Sequence, residues 1–379
     1  MQRRDFIKTL SAGLTLFSVP AMSAGLANSS TLKNKKVIWL VLRGAVDTLH
    51  TLVPSFDENL KILRPKLVEG LQGKLNPLEK GFSLHGRLSF CHELYLKKQF
   101  LPIVAVGSGY GARSHFDGQD YLESGLNQID HDSGWLGRAI KLKQQQGVAI
   151  ARSLPISMRG STGETWYPSR LKDADDDIYS SLMKLYKDDA LLHSRLSEGL
   201  ATEEKVGGMM AEHKKGKFIE LAQSCATLMK GNEGTPCAML EMGGWDTHNN
   251  QLSRLDRQFK ELDKGLQTLH DGLGDDWQNT LLIIASEFGR TARENGTGGT
   301  DHGTGSALML AGGAVAGGKV LGQWPGLKDE ELFENRDLKP TTNTFSWISA
   351  ALNQHWSMPV SELAQIFPDH KPYKTQLIV

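Results

Sequence analysis

Five short apolar runs constrain the fold of this chain more than any other feature of its sequence. They are Val37-Ile38-Trp39-Leu40-Val41-Leu42, Leu101-Pro102-Ile103-Val104-Ala105-Val106, Cys237-Ala238-Met239-Leu240-Glu241, Thr280-Leu281-Leu282-Ile283-Ile284-Ala285 and Ser306-Ala307-Leu308-Met309-Leu310-Ala311. None alternates apolar with polar, so neither face of such a segment is built to meet water. Each is closed by glycine or a polar turn, which reads as a buried parallel strand. Helical patterns lie between the runs. Leu252, Leu255, Phe259, Leu262, Leu266, Leu269 and Leu273 recur at spacings of three and four and predict a helix from about 250 to 273. Phe218, Leu221, Ala222, Cys225, Leu228 and Met229 make a shorter stripe, and Phe345, Ile348, Ala351 and Leu352 mark a C-terminal helix. Strands alternating with helices predict an α/β fold: a mostly parallel central sheet with helices on both faces. The stretch from about 169 to 217 differs. It carries Asp173, Asp175, Asp176 and Asp177, then mixed-charge helical sequence without a strand, and reads as a helical insertion.

The chain has 379 residues, the length of one large α/β domain with an insertion or of two to three smaller domains. Basic and acidic residues balance at 43 each, so no charge excess calls for nucleic acid or a basic partner. Residues 1–27 read as an address label. Arg3 and Arg4 are followed by Phe6, Ile7 and Lys8, and an apolar stretch from Leu10 to about Val19 is too short to span a bilayer. Gly25-Leu26-Ala27 offers a cleavage site, with Ala21-Met22-Ser23 as the alternative. The pattern resembles a twin-arginine export signal. It implies passage through the twin-arginine translocase, a periplasmic or secreted destination and no stable membrane anchor after removal. That route carries folded proteins, often with a metal or cofactor already loaded. Residues 28–379 then form the α/β domain, with 40 basic and 42 acidic residues and a net charge of −2. The three cysteines, Cys91, Cys225 and Cys237, have no C-x-x-C spacing and allow at most one internal disulfide.

Sites in open parallel sheets lie beyond the carboxyl ends of the strands, and the polar residues of this chain collect there. Asp47 and His50 follow the first run. Arg113-Ser114-His115-Phe116-Asp117 follow the second, and Gly244-Trp245-Asp246-Thr247-His248 the third. Glu287 directly follows the fourth, with Arg290 and then Thr300-Asp301-His302-Gly303 beyond it. Carboxylates and neutral imidazoles are the donors that zinc and its neighbours take. Each piece also has a plainer reading. Asp47 is placed to cap a helix, and so is Asp246-Thr247-His248 ahead of its long helix. Glu287 either pairs with Arg290 or Arg293 or holds a metal. Asp301-His302 sits in a glycine-rich loop that is either mobile or functional. Ser114 is either a helix cap or a nucleophile steadied by the helix N-terminus and Arg113.

Taken together, L-R-G-A-V-D, S-H-F-D-G-Q-D, G-W-D-T-H, S-E-F-G-R-T and T-D-H-G, in this order, resemble the domain of unknown function 1501 family over nearly all of the chain beyond residue 27. That family is in turn similar to the alkaline phosphatase and sulfatase superfamily. The resemblance implies an alkaline-phosphatase-like sheet and a hydroxyl nucleophile that attacks an anionic phosphate or sulfate ester with help from divalent metal. Zinc is the first expectation, calcium or manganese the alternatives. It implies metal ligation by Asp47, Asp246, His248, Glu287 and His302, and Ser114 as nucleophile, with Arg113 or Arg290 neutralising the oxyanion. His115 and Asp301 are secondary candidates, His115 as a supplementary imidazole. The sequence also departs from the superfamily. Asp246 and His248 are spaced more closely than the phosphatase ligands, and Glu287-Phe288 stands where Asp-His is expected. No C-x-P-x-R or S-x-P-x-R signature of the formylglycine sulfatases is present. These departures motivate a second reading, an exported binding or scaffolding protein with a degraded site on the same fold.

Overall fold

Every residue of the strand Lys36–Leu42 (β1) is buried, and the architecture follows from what covers its two faces. A computed structural model describes residues 35–71, 73–168, 176–207 and 217–379. The remaining strands are β2 (Leu52–Pro54), β3 (Leu75–Pro77), β4 (Phe82–His85), β5 (Phe100–Gly107), β6 (Gly147–Ala149), β7 (Glu164–Thr165), β8 (Cys237–Met242), β9 (Thr280–Ala285), β10 (Ser306–Ala311) and β11 (Thr342–Asn343). Eight form one sheet in the order β11-β5-β10-β9-β1-β8-β6-β7, and β2-β4-β3 form a small antiparallel sheet beside it. β1 is parallel to both neighbours, with Val37 opposite Cys237 on one side and Leu281 on the other.

The helices named below are α1 (His115–Ser124), α2 (Trp135–Lys143), α3 (Asp176–Leu185), α4 (Ala190–Gly207), α5 (Phe218–Met229), α6 (Gln251–Leu273) and α7 (Thr344–His355). Side chains alternate across a strand, so the two faces of β1 read separately. Ile38, Leu40 and Leu42 join one hydrophobic cluster with Phe218, Leu221 and Cys225 of α5 and Leu255, Phe259, Leu262 and Leu266 of α6. Trp39 points the other way and meets Trp135 of α2 edge to face at 5.1 Å. Trp135 in turn packs on Phe367, which stacks with Phe345 of α7. Both faces are therefore covered by helices, as the unbroken apolar runs require. Each fully buried large side chain in these layers contributes about 1.5–3 kcal/mol by leaving water.

One strand departs from the parallel expectation. β10 runs antiparallel to both β5 and β9. No helix crosses over between β9 and β10, so the chain turns back at the rim where β9 ends. That reversal starts β10 at the carboxyl rim of its neighbours, with Ser306 opposite Val106 of β5. Residues 286–305, including Glu287 and His302, are thereby held at the same rim as the loop after β8. The described part of 169–217 consists of α3 and α4; residues 1–27 lie outside the described residues. All three cysteines are buried and free. Among the described residues no helix is long and apolar enough to cross a membrane.

Candidate metal centre

His115 owes its position to the sharp entry into α1. Arg113 is in the left-handed region at φ 60°, Ser114 is extended, and the helix begins at His115. The imidazole of His115 lies against Phe288, ring centroids 5.1 Å apart. Its Nδ1 is 2.7 Å from Glu287 Oε1. That carboxylate also accepts the Gly44 N–H at 2.8 Å and, through Oε2, the Ser286 hydroxyl at 2.9 Å. An ionised carboxylate only accepts, so Nδ1 of His115 carries a proton, and in the neutral ring Nε2 presents a lone pair. Nε2 is buried, makes no hydrogen bond, and faces Asp246 Oδ1 from 3.4 Å.

Asp246 reaches this point because the loop after β8 lies directly on the loop after β1. A Cβ on Gly44 would sit 2.5 Å from the Asp246 amide nitrogen, and Gly44 has φ 120°, so a side chain there would push the two loops apart. Two further imidazoles converge on the same carboxylate oxygen. Nε2 of His248 is 3.0 Å and Nε2 of His302 is 3.2 Å from Asp246 Oδ1, and the two nitrogens are 2.9 Å from each other. Each ring is anchored at its other nitrogen. His302 Nδ1 donates to the Arg113 carbonyl at 2.9 Å, and His248 Nδ1 to Asp301 Oδ1 at 3.1 Å. Asn295 donates to the same Asp301 oxygen and to the His248 carbonyl.

This arrangement passes the chemical test for a cation site. His115, Asp246 and His302 each offer one donor atom within 4.8 Å of the others, and His248 Nε2 touches two of those atoms. Donor atoms around a tetrahedral zinc stand about 3.3 Å apart, given bonds of 2.0–2.1 Å. Three nitrogens turned by their Nδ1–H bonds towards one carboxylate oxygen have that spacing and the second-layer support typical of metal-bound histidine. The electrostatics divide: an ionised Asp246 and a lowered His302 favour a cation, whereas a raised His115 favours its own proton. Burial alone would raise the Asp246 carboxyl, but the hydrogen bond and charge of Arg290, with His248 and His115, hold it at about 2. Burial lowers His302, and the charges of His115 and Arg290 add to that. The bond to Glu287 raises His115, with burial opposing it.

The other expected site residues have different partners. Asp47 lies outside the cluster. Arg64 Nη1 sits 2.8 Å from both its oxygens, and Gln251 Nε2 donates to Oδ2 at 2.5 Å. The oxygens of Glu287 meet His115, Gly44 and Ser286. Arg290 directs its donors mainly to the loops of this rim. It is buried and donates to the carbonyls of Gly44, Ala45, Trp245 and Thr300 and to Asp246. Arg113 gives its guanidinium to Asp337 and Glu334, and only its carbonyl reaches the site, through His302. Asp301 orients His248. Ser114 makes no side-chain capping bond to α1, although it directly precedes His115. Asp246-Thr247-His248 does not cap α6 either; Asn250 occupies that place. Residue spacing gave no sign of Arg64, Asn295 or Asp337. Only Phe288, adjacent to Glu287, lay within a motif that drew attention.

The chain belongs to the family described as protein of unknown function (DUF1501), whose model matches residues 108–366. The match contains Asp246 and the three histidines that converge on it, and Asp47 lies outside it. No curated protein matches the chain. Among solved structures the chain is similar to human ectonucleotide pyrophosphatase/phosphodiesterase 5, at 11% identity, over 68% of this chain and 57% of that one, TM-score 0.33. It is similar to a 2-O GAG sulfatase at 9% identity, over 90% and 76%, TM-score 0.44. It is also similar to a mutant of TAB5 alkaline phosphatase with Mg bound in its M3 site, at 12%, over 88% and 99%, TM-score 0.38. The chain spans just over half the length of the human phosphodiesterase.

Proposed function

We propose that this chain is an exported, metal-dependent hydrolase of phosphate or sulfate esters, with zinc as its metal. The observation that carries the reading is the convergence of three imidazole Nε2 atoms on one ionised carboxylate oxygen, each ring fixed by an acceptor at Nδ1. Three imidazoles and a carboxylate suit zinc better than calcium, which prefers an all-oxygen shell. When bound, a divalent cation supplies charge for the ester anion and polarises its oxygens. Asp246, held ionised by Arg290, and the three histidines would hold it.

The remaining groups belong to this chain. Ser114 stands at the N-terminus of α1, where unpaired backbone N–H groups favour developing negative charge, and its hydroxyl is not engaged in capping the helix. It is the nucleophile of this proposal. Glu287 keeps the His115 proton on Nδ1. Arg290 ties the loops after β1, β8 and β9 around Asp246. Residues 1–27, with Arg3 and Arg4, direct export through the twin-arginine route in this reading.

The second reading, a binding protein with a degraded site, is favoured by one observation. Asp47 and Glu287, the carboxylates a second metal would need, already have other partners. The experiment that separates the readings counts metals in purified mature protein and measures hydrolysis of aryl phosphate and aryl sulfate. One equivalent of zinc with turnover, lost in Ser114→Ala while the metal stays, supports the hydrolase. Metal without turnover of either ester supports the binding protein. Full turnover in Ser114→Ala removes the serine from the mechanism.

A further inference from the structure

A cleft of about 510 Å³ opens beside the metal centre, over the carboxyl ends of β1, β8, β6 and β7. It shares chain segments with the centre on three sides. Arg43 precedes Gly44, Gly243 lies three residues before Asp246, and Phe116 follows His115. Phe116, Gln119 and Glu123 lie on one face of α1, the helix that His115 begins. The volume is that of a small-molecule site and exceeds the needs of a single tetrahedral anion.

The charges in the cleft are unequally engaged. Of its acids, Glu123 accepts Gln119 Nε2 at 2.7 Å and the Ser157 N–H at 2.8 Å. Glu241 accepts the same glutamine amide at 2.8 Å, and Asp120 faces His131 at 3.6 Å. Arg159 is engaged too, donating to the carbonyls of Leu154 and His131. Two guanidinium groups are not. Arg152 makes no hydrogen bond or ion pair among the described residues and lies over the Tyr167 ring, 5.0 Å from its centroid. Arg43 lies over Phe116 at 5.6 Å, with only a long contact of 3.8 Å to Glu241. An aromatic face under a guanidinium holds its plane and leaves the edge, with its forked donors, free for an oxyanion.

We propose that this cleft binds a second anionic group of the substrate, carried on the part of the molecule that leaves, with Arg43 and Arg152 as the two residues that select it. The proposal rests on the hydrolase reading and deepens it: the substrate is a polyanionic ester, one anion at the metal centre and another between the two stacked arginines. A paired guanidinium–oxyanion contact is a charge-assisted bond, stronger than a neutral one. The aromatic and aliphatic walls suit the carbon skeleton between the two anions.

The test is calorimetric titration of the zinc-treated mature protein with a hexose monophosphate and with a hexose 1,6-bisphosphate. The expected result is a bisphosphate affinity at least tenfold above the monophosphate. In the Arg43→Gln, Arg152→Gln double variant the bisphosphate falls to the level of the monophosphate, whose own affinity stays within twofold. His302→Ala separates this proposal from the metal reading. If the centre holds metal, both ligands weaken there; if it does not, the arginine-dependent preference for the bisphosphate remains unchanged. Equal affinities in the wild type, absence of binding by either ligand, or a preference that survives the double variant would each overturn the proposal.

Discussion

Asp47 and Asp246 follow neighbouring strands of one sheet, β1 and β8, yet the molecule makes opposite use of them. Asp47 is 0% exposed, and Arg64 and Gln251 occupy its oxygens. The side chain of Asp246 is 42% exposed, with three imidazole nitrogens around one oxygen. A guanidinium brings its own protons to a carboxylate and completes it. Imidazoles whose protons are held at Nδ1 bring lone pairs, which repel the carboxylate unless a cation lies between them. The first carboxylate is finished by the fold. The second also takes Arg290 on Oδ1, yet that same oxygen faces three imidazole nitrogens and the side chain stays accessible.

The largest expected effect tests the closed side. Asp47→Ala leaves the Arg64 charge buried without its partner and should cost about 3–5 kcal/mol of stability. Chemical unfolding measures the cost, and metal content of the folded fraction should stay at the wild-type value. A folded Asp47→Ala protein that had lost its metal would erase the contrast between the two carboxylates.

Acid should damage the same region next. Burial pushes His50 down to about 3, with the Asp47 charge opposing, and burial pushes His85 down to about 4. The two rings stack at 5.4 Å and both pack on Phe259 of α6. In the unfolded chain both take up protons near pH 6.5, whereas the folded protein resists until pH 3–4. Their stabilisation is therefore complete above about pH 6.5 and is lost as pH falls from there towards 3. One pKa unit is about 1.4 kcal/mol, so the buried His50 alone accounts for a loss of a few kcal/mol. Urea midpoints measured from pH 7 to 4 should fall steadily. In His50→Phe the fall should be shallower; an unchanged slope would show that His50 does not carry it.

The smallest effect sharpens the open side. Glu287→Gln keeps the shape of the acceptor that fixes His115 but removes its charge. Metal affinity should drop about 10–100-fold, the usual cost of altering a second-layer partner. Competition with a chelator measures it. Complete loss of metal would make Glu287 a ligand after all, and no change would place His115 outside the centre.

Much of the fold was legible because burial on both faces leaves a plain mark: an unbroken apolar run. All five such runs are strands of the main sheet, and the helical stripes at 218–229 and 251–273 are α5 and α6. The direction of β10 was not legible, since a buried antiparallel strand between two others has the same composition as a parallel one. The site shows the same division. Asp246, His248 and His302 stood out as donor types at strand ends. His115 entered only as a supplement, although its Nε2 is the buried, unpartnered donor of the centre.

The sequence by itself determined which segments must hide from water and at which rim carboxylates and imidazoles would gather, because hydrophobic period and residue type are local properties. The tertiary structure alone decided which carboxylate would meet Arg64 and which would meet three histidines. Most of those partners lie far apart in the chain: Arg64 is 17 residues from Asp47 and His302 is 56 from Asp246, and only His248 is close by. Whether a carboxylate is neutralised or left open depends on which atoms the fold brings within about 3 Å of it, and no spacing along the chain carries that distance.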